Sequence, residues 1–312
     1  MSPTPILPFD ASILAGTKSA GAIAQYTYYF GQYLAYAGSF ECAVSPHTLL
    51  HWREYLVNTT YSTKAGPHHY SVNAINVRLS AVRSIMHAAS NQHLLPRALA
   101  DEFASVAGIR PKTMDNRRNP HARVLLTPAQ MRAICDTPDI NTLAGVMHRA
   151  FLSTLAGSGL RVSEAVHLTL AQLDGGTDPQ QPTGFAVLMS SKKNGVQEPR
   201  PLSQEAYQRI QHWLSVRPVA SDYIFTGFSG RGDRGPLATP IRPVSAWEMV
   251  RRYAQQVGIK HVKPHDFRRF VAAQLAVQDV RLVPKALGHK RLDNAQSGDG
   301  EELARGITDH LY

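Results

Sequence analysis

Cysteine is scarce. Only Cys42 and Cys135 occur in 312 residues, which excludes a disulfide scaffold and a cysteine-based zinc module. The histidines also lack ligand spacing: His68 and His69 stand as an isolated pair, so no metal site is expected. No run of eighteen apolar residues exists to cross a membrane. The N-terminal stretch MSPTPILPFDASILAG carries three prolines, an acid and no basic start, and is not read as a signal peptide. No internal repeat appears. The expectation is a soluble, cytoplasmic protein.

Acidic residues are the other shortage. There are 23 Asp and Glu against 33 Lys and Arg, a net charge of +10 with neutral histidines, and the pI is near 9.7. That balance points to a polyanion, most often nucleic acid. The charge is unevenly spread. Residues 1–109 are nearly neutral, with 6 basic and 5 acidic side chains. The stretch RPKTMDNRRNPHAR, 110–123, holds Arg110, Lys112, Arg117, Arg118 and Arg123 against Asp115 alone. It has no helical or strand period and is rich in Pro and Asn, so it reads as a basic linker able to cross phosphates. At 43% hydrophobic residues the remainder can bury cores, and the length suits about two domains.

The half before the linker looks all-helical. KSAGAIAQYTYYFGQYLAYAG ends on a glycine suited to a C-cap, and SPHTLLHWREYLV opens with Ser45 at the cap and Pro46 at the first helical position. In SVNAINVRLSAVRSIMHAAS, Val72, Ile75, Leu79, Val82 and Met86 share one face. PRALADEFASVAG makes a fourth helix. Tyr26, Tyr28, Tyr29, Tyr33 and Tyr36 are expected to pack rather than stack on bases.

The half after the linker is mixed. LTPAQMRAIC has a cap-and-proline start at Thr127 and Pro128, and NTLAGVMHRAFLSTLAG is apolar enough to be the core helix. TGFAVLMSSKKNGVQEPRPL reads as two short strands around a KKNG turn. Helices are expected over SQEAYQRIQHWLSV, with Ser203 as cap, TPIRPVSAWEMVRRYAQQVG and PHDFRRFVAAQLAVQ. SGRGDRG, 229–235, reads as a mobile loop. Overall, the chain is expected to be mainly α with a small antiparallel β-sheet in its second domain, an α+β architecture.

Chemistry-bearing residues collect in this second half. The stretch AGSGLRVSEAVHL places Arg161 just after a Gly-Ser-Gly turn read as flexible, at the mouth of a helix. Lys192 or Lys193 follows in the strand turn. HDFRR sets His265 and Arg268 on one helical face, LGH ends in His289, and the chain closes on Tyr312. Two arginines, a lysine, two histidines and a tyrosine suit metal-free phosphoryl transfer to a phenol. The guanidiniums clamp the nonbridging oxygens bidentately and the tyrosine attacks. A lysine on a mobile hairpin protonates the leaving oxygen.

In GSGLRVSE, HDFRR and LGH, in that order, and more loosely in KKNGVQEPRPL, the chain resembles the tyrosine recombinase or phage integrase family. The resemblance covers essentially the whole chain. It implies a four-helix, SAM-like core-binding domain over 1–109, a linker over 110–123 and a catalytic domain over 124–312, closing as a C-shaped clamp on duplex DNA. It implies site-specific strand breakage and rejoining through a 3′-phosphotyrosine, without metal, ATP or other cofactor. Arg161 and Arg268 would bind the scissile phosphate, and Lys193, favoured over its neighbour Lys192 by counting back from Pro201, would be the general acid. His265 and His289 would assist, Glu164 would brace the site and Tyr312 would be the nucleophile. The implied partners are a double-stranded recombination site, further copies forming a tetramer on two sites, and an accessory DNA-bending protein, with association to the nucleoid if the host is bacterial. The chain departs from the family in ending at the nucleophile and in its wide spacing between His289 and Tyr312. The polar insert KRLDNAQSGDGEELARG reads as a flexible loop, able to carry the tyrosine to its own site or a neighbour's. A type IB topoisomerase-like activity and a cleavage-dead DNA-binding protein are the rival functions.

Overall fold

The computed structural model describes residues 7–63, 66–110, 113–114, 123–174, 186–191, 197–229, 235–279 and single residues 281, 283 and 287. The chain divides into two compact units, Met1–Ala122 and Arg123–Tyr312. The long cores expected from periodicity are present in both.

In the first unit, a 3-10 turn at Ala11–Leu14 leads into α1 (Ala20–Ala37), the single-turn α2 (Phe40–Ala43) and α3 (Pro46–Asn58). The chain continues through α4 (Val72–Asn91) and α5 (Arg97–Ser105). Ser19 and Ser71 cap α1 and α4 through their side chains, whereas Ser45 holds the cap position of α3 without a side-chain cap bond. Gly38, at φ 73°, ends α1 in the left-handed region, where glycine is least strained. Ile75, Leu79, Val82 and Met86 are fully buried against Trp52, Tyr33 and Phe103. The four expected helices are therefore present. A β-hairpin of β1 (Thr60–Thr63) and β2 (Gly66–His69) was not expected, and it joins α3 to α4. The tyrosines divide: Tyr33 is buried and bonds the Ala43 carbonyl, Tyr26 packs on the core, but Tyr28 is 62% exposed.

The second unit is built on α7 (Leu143–Ser158), the apolar helix expected at its centre. α6 (Pro128–Asp136) precedes it, opened by a capping box in which Thr127 and Gln130 satisfy each other's backbone N–H groups. The one-turn α8 (Val162–Ala165) follows α7. A short β3 (Leu173–Asp174) pairs antiparallel with β4 (Ala186–Ser191), which pairs with β5 (Gln197–Leu202) from Ala186↔Leu202 to Ser191↔Gln197. The turn carrying Lys192 and Lys193 lies outside the described residues. α9 (Gln204–Val216), capped by Ser203, packs along α7. A second unexpected hairpin, β6 (Thr226–Phe228) and β7 (Pro236–Pro240), takes the Thr-Pro assigned above to a helix. α10 accordingly begins at Pro243 and runs to Gln256, and α11 spans Pro264–Gln278. Most of the SGRGDRG stretch lies outside the described residues. Phe151, Trp213, Phe225 and Phe267 are fully buried, with the Trp213 indole N–H donating to the Ile224 carbonyl at 2.8 Å. Among the described residues, no helix is long and apolar enough to cross a membrane.

His148 ties α7 to α10. Its Nδ1 lies 2.9 Å from the Tyr253 hydroxyl and 3.3 Å from Nη2 of Arg252. Burial, with Arg252 adding repulsion, lowers its pKa from 6.5 to about 4. The unfolded chain therefore takes up this proton below about pH 6.5, and the folded chain does so only near pH 4. Stability is complete above that window, falls as pH drops through it, and levels below, by up to about 3 kcal/mol. We expect the urea midpoint to drop more steeply between pH 7 and pH 4.5 in wild type than in His148→Gln; parallel pH dependences would sink this assignment.

Candidate active site

The GSGLR stretch is not the flexible turn its glycines suggest. α7 continues through Gly157 and Ser158, and both are buried. A Cβ on Gly157 would fall 2.3 Å from the Ser203 hydroxyl, and the Gly157 carbonyl accepts the Ser203 backbone N–H at 3.0 Å. Gly157 is thus a close crossing between α7 and the end of β5. Gly159 caps α7 at φ 63°, and a Cβ there would meet a Leu287 methyl at 2.7 Å and Val271 at 3.1 Å. One glycine admits a neighbouring element, and the other also supplies the backbone reversal that releases Leu160 and Arg161.

Arg161 holds the N-cap position of α8, and an arginine has no acceptor to cap with. Glu164 performs that work instead: one carboxylate oxygen accepts the Arg161 backbone N–H at 2.7 Å, and the other accepts Nη1 at 2.7 Å. The Arg161 side chain remains 50% exposed and the Glu164 side chain 26%. Glu164 thus touches Arg161 directly and fixes the root of the arginine and one edge of its guanidinium.

Arg268, one turn into α11, is only 5% exposed. Its Nη1 donates to the Gly159 carbonyl at 2.7 Å and its Nη2 to the Leu287 carbonyl. This side chain thereby joins three sequence stretches: GSGLR through Gly159, HDFRR through itself, and LGH through Leu287. A buried guanidinium needs such acceptors, because uncompensated burial of a charge is costly.

His265 sits at the second position of α11, exposed to solvent. Its pKa is lowered, first by desolvation, then by Arg269 and Arg268, with Arg161 adding to the effect and Asp266 opposing it. Arg161, Arg268 and Arg269 thus all bias His265 toward its neutral form.

Asp266 is a residue that the sequence reading missed. It is 1% exposed; it accepts the Lys263 backbone N–H at 2.9 Å and the Val124 N–H at 3.4 Å, and it pairs with Arg269 at 2.8 Å. It anchors the start of α11 and hence the bearing of His265 and Arg268. The available signal was an acid at the third position of a helix that opens on proline.

Lys192, Lys193, His289 and Tyr312 lie outside the described residues, as do Lys112, Arg117 and Arg118 of the linker. Arg110 and Arg123 are both exposed, one in each unit. Among the described residues, no group of three or more His, Cys, Asp or Glu side chains gathers to hold a metal ion.

Residues 125–297 match the phage integrase family. The chain belongs to that family. It is 30% identical over 180 residues to tyrosine recombinase XerD of Neisseria meningitidis, covering 55% of this chain and 56% of that protein, so the match spans little more than half the relative's length. Tyrosine recombinase XerC of Escherichia coli O157:H7 is 29% identical over 286 residues, covering 85% of this chain and 89% of the relative. Among solved structures, XerH site-specific recombinase bound to a palindromic difH substrate matches with a TM-score of 0.65 at 12% identity, over 94% of this chain and 78% of the other. A lambda integrase dimer on a COC′ core site matches with a TM-score of 0.59 at 12% identity, over 92% and 96%. These two likenesses establish a shared fold.

Two outcomes test this geometry. Gly159→Ala should destabilise the chain by roughly 1–3 kcal/mol, through positive φ and overpacking against Leu287 and Val271; an unchanged denaturation midpoint would refute the constraint. In an NMR titration, His265 should protonate below the ordinary imidazole pH, and Arg161→Gln should shift that midpoint upward. A midpoint indifferent to Arg161 would separate the two residues.

Proposed function

We propose that the chain is a site-specific DNA recombinase that cuts and rejoins strands through a covalent 3′-phosphotyrosine. The carrying observation is the Arg268 guanidinium, held by the Gly159 and Leu287 carbonyls beside Arg161 and His265. In this reading, Arg161 and Arg268 stabilise the charge that grows on the nonbridging oxygens of a scissile phosphodiester. The Tyr312 phenol gives up its proton and attacks phosphorus, and Lys193, with Lys192 beside it, protonates the departing 5′ oxygen. His265 and His289 assist at the phosphate and the nucleophile, and a neutral His265 can accept a proton or donate a hydrogen bond. A 5′ hydroxyl of a second duplex then attacks the phosphotyrosine and frees the tyrosine. One phosphodiester replaces another, so the cycle as written draws on neither metal nor ATP.

The domain roles follow the same reading: residues 1–109 bind the core site, 110–123 cross the backbone with Arg110, Lys112, Arg117, Arg118 and Arg123, and 124–312 carry the chemistry. The DNA-bound XerH and the lambda integrase dimer on a core site support a recombination site as substrate and self-association upon it. A tetramer on two sites completes the exchange.

The test is covalent capture on nicked suicide duplexes taken from DNA flanking the gene. Wild type should yield a denaturation-resistant adduct that Tyr312→Phe abolishes, and Arg268→Ala should slow its formation by at least about a hundredfold. An adduct that persists in Tyr312→Phe would assign the nucleophile elsewhere. Binding without any adduct would leave a cleavage-dead DNA-binding protein, and relaxation of plasmids without site preference would favour a topoisomerase.

A further inference from the structure

The hairpin that joins α3 to α4 is an addition to an otherwise helical unit. In its register Thr60 faces His69, Tyr61 faces His68 and Ser62 faces Pro67. Partners across a ribbon share a face, so the hairpin has two unlike sides. One side carries Tyr61 and His68, and Tyr70 follows on it. Tyr61 stacks on Tyr70 at 4.9 Å and lies 6.2 Å from His68. Arg78 of α4 sits against the Tyr70 ring at 4.4 Å and the Tyr29 ring of α1 at 4.5 Å, and it also bonds Gln32 and the Ala74 carbonyl. This ladder ties the ribbon to α1 and α4. The other side carries Thr60, Ser62, Pro67 and His69, and all four are exposed.

The sequence around the ribbon is basic and free of acids. No Asp or Glu occurs between Glu54 and Asp101, a stretch that holds the whole hairpin and α4 together with Lys64, Arg78, Arg83 and Arg97. The hairpin and the basic linker also meet on one element. Ser71, directly after Tyr70, caps α4, and Asn76, one turn in, clasps Ile109 in both directions, at 2.8 and 2.9 Å. Arg53 of α3 donates to the Ala107 carbonyl at 2.9 Å, and Gly108 lies so close that a Cβ would fall 2.7 Å from the Asn76 side chain. The exposed Arg110, first of the linker's basic residues, therefore departs from the same end of α4 that carries the ribbon.

We propose that the β1–β2 ribbon docks on duplex DNA and lays its Thr60, Ser62 and His69 side on the sugar–phosphate backbone, beside the start of the linker. The proposal rests on the reading of the chain as a DNA-binding protein. Hydroxyls and imidazoles offer donors to phosphate oxygens, and such contacts position a protein on a duplex without reading its sequence. The ribbon has no carboxylate of its own to repel a phosphate. A protein partner would need apolar area, which two hydroxyls, an imidazole and one proline do not supply. Pro67 also lacks an N–H with which to add a further strand.

The experiment measures binding of the full chain to a duplex of unrelated sequence across a salt series, for wild type, Thr60→Ala/Ser62→Ala/His69→Ala, His69→Glu and Gln92→Glu. Gln92 is exposed at the far end of α4, and its substitution adds the same negative charge as His69→Glu. The alanine variant should bind roughly tenfold more weakly. His69→Glu should cost at least as much, and its loss should shrink as salt rises. Gln92→Glu should stay within about twofold of wild type, because its charge lies far from the docked backbone. Melting temperatures without DNA should stay within about 2 °C of wild type, since exposed side chains alone are changed. Should the alanine variant melt lower, the two glutamate variants decide. The site is overturned by wild-type affinity in the hairpin variants, or by equal losses in His69→Glu and Gln92→Glu, which would report net charge alone. Loss of self-association at unchanged DNA binding would assign the ribbon to a second copy and also overturn it. Wild type that binds no DNA would instead fail the functional reading beneath it.

Discussion

The Arg268 guanidinium is the interaction on which the rest of the second unit depends. Its carrier, α11, packs on α7, and its two carbonyl partners belong to the end of α7 and to the segment at Leu287. A charge at 5% exposure is stable only where its donors meet acceptors, so the backbone must bring those carbonyls to it. Gly159 makes this possible: its positive φ turns its carbonyl toward Arg268, and its missing Cβ admits Leu287. The apolar core of α7, α9 and α11 and the polar joint above it therefore constrain one another. Loosening either would move the other.

Electrostatics around that joint is deliberately one-sided. Arg161, Arg268 and Arg269 all press on His265, and of the nearby acids Glu164 is committed to Arg161 and Asp266 to backbone N–H groups and Arg269. Such a concentration of positive charge costs stability in the free protein. It suits a group that brings its own negative charge, and pre-placed charges need little reorganisation when it arrives. The neutral His265 fits the same arrangement, because a charged imidazole would add to the repulsion.

Much of this was legible in the sequence, and what was legible was local. The Thr127–Gln130 capping box, the apolar stripe of Val82 and Met86, and the pairing of β4 with β5 depend on neighbours within a few residues, as do the motifs holding Arg161, His265 and Arg268. The illegible parts depend on distant partners. Gly157 and Gly159 read as a flexible turn because nothing nearby announces Ser203 or Leu287, the atoms that demand glycine there. Asp266 meets Val124, 142 positions earlier, and no local pattern shows that contact. Gly66, which opens the second strand of the hairpin at Thr60–His69, stands at φ 110°, and the Thr, Ser and His around it carry no apolar alternation to announce a strand.

The same separation explains why Arg53 and Arg83 pass unnoticed in the sequence. Residues 1–109 are almost neutral on count, and charge counting assigns the polyanion contact to the linker alone. Yet a count says nothing of whether each charge is neutralised where it stands. Arg78 is absorbed by two tyrosine rings and a glutamine, while Arg53 and Arg83 keep buried donors without acceptors. Whether a donor meets an acceptor is decided by packing, which no count of charges along the chain records.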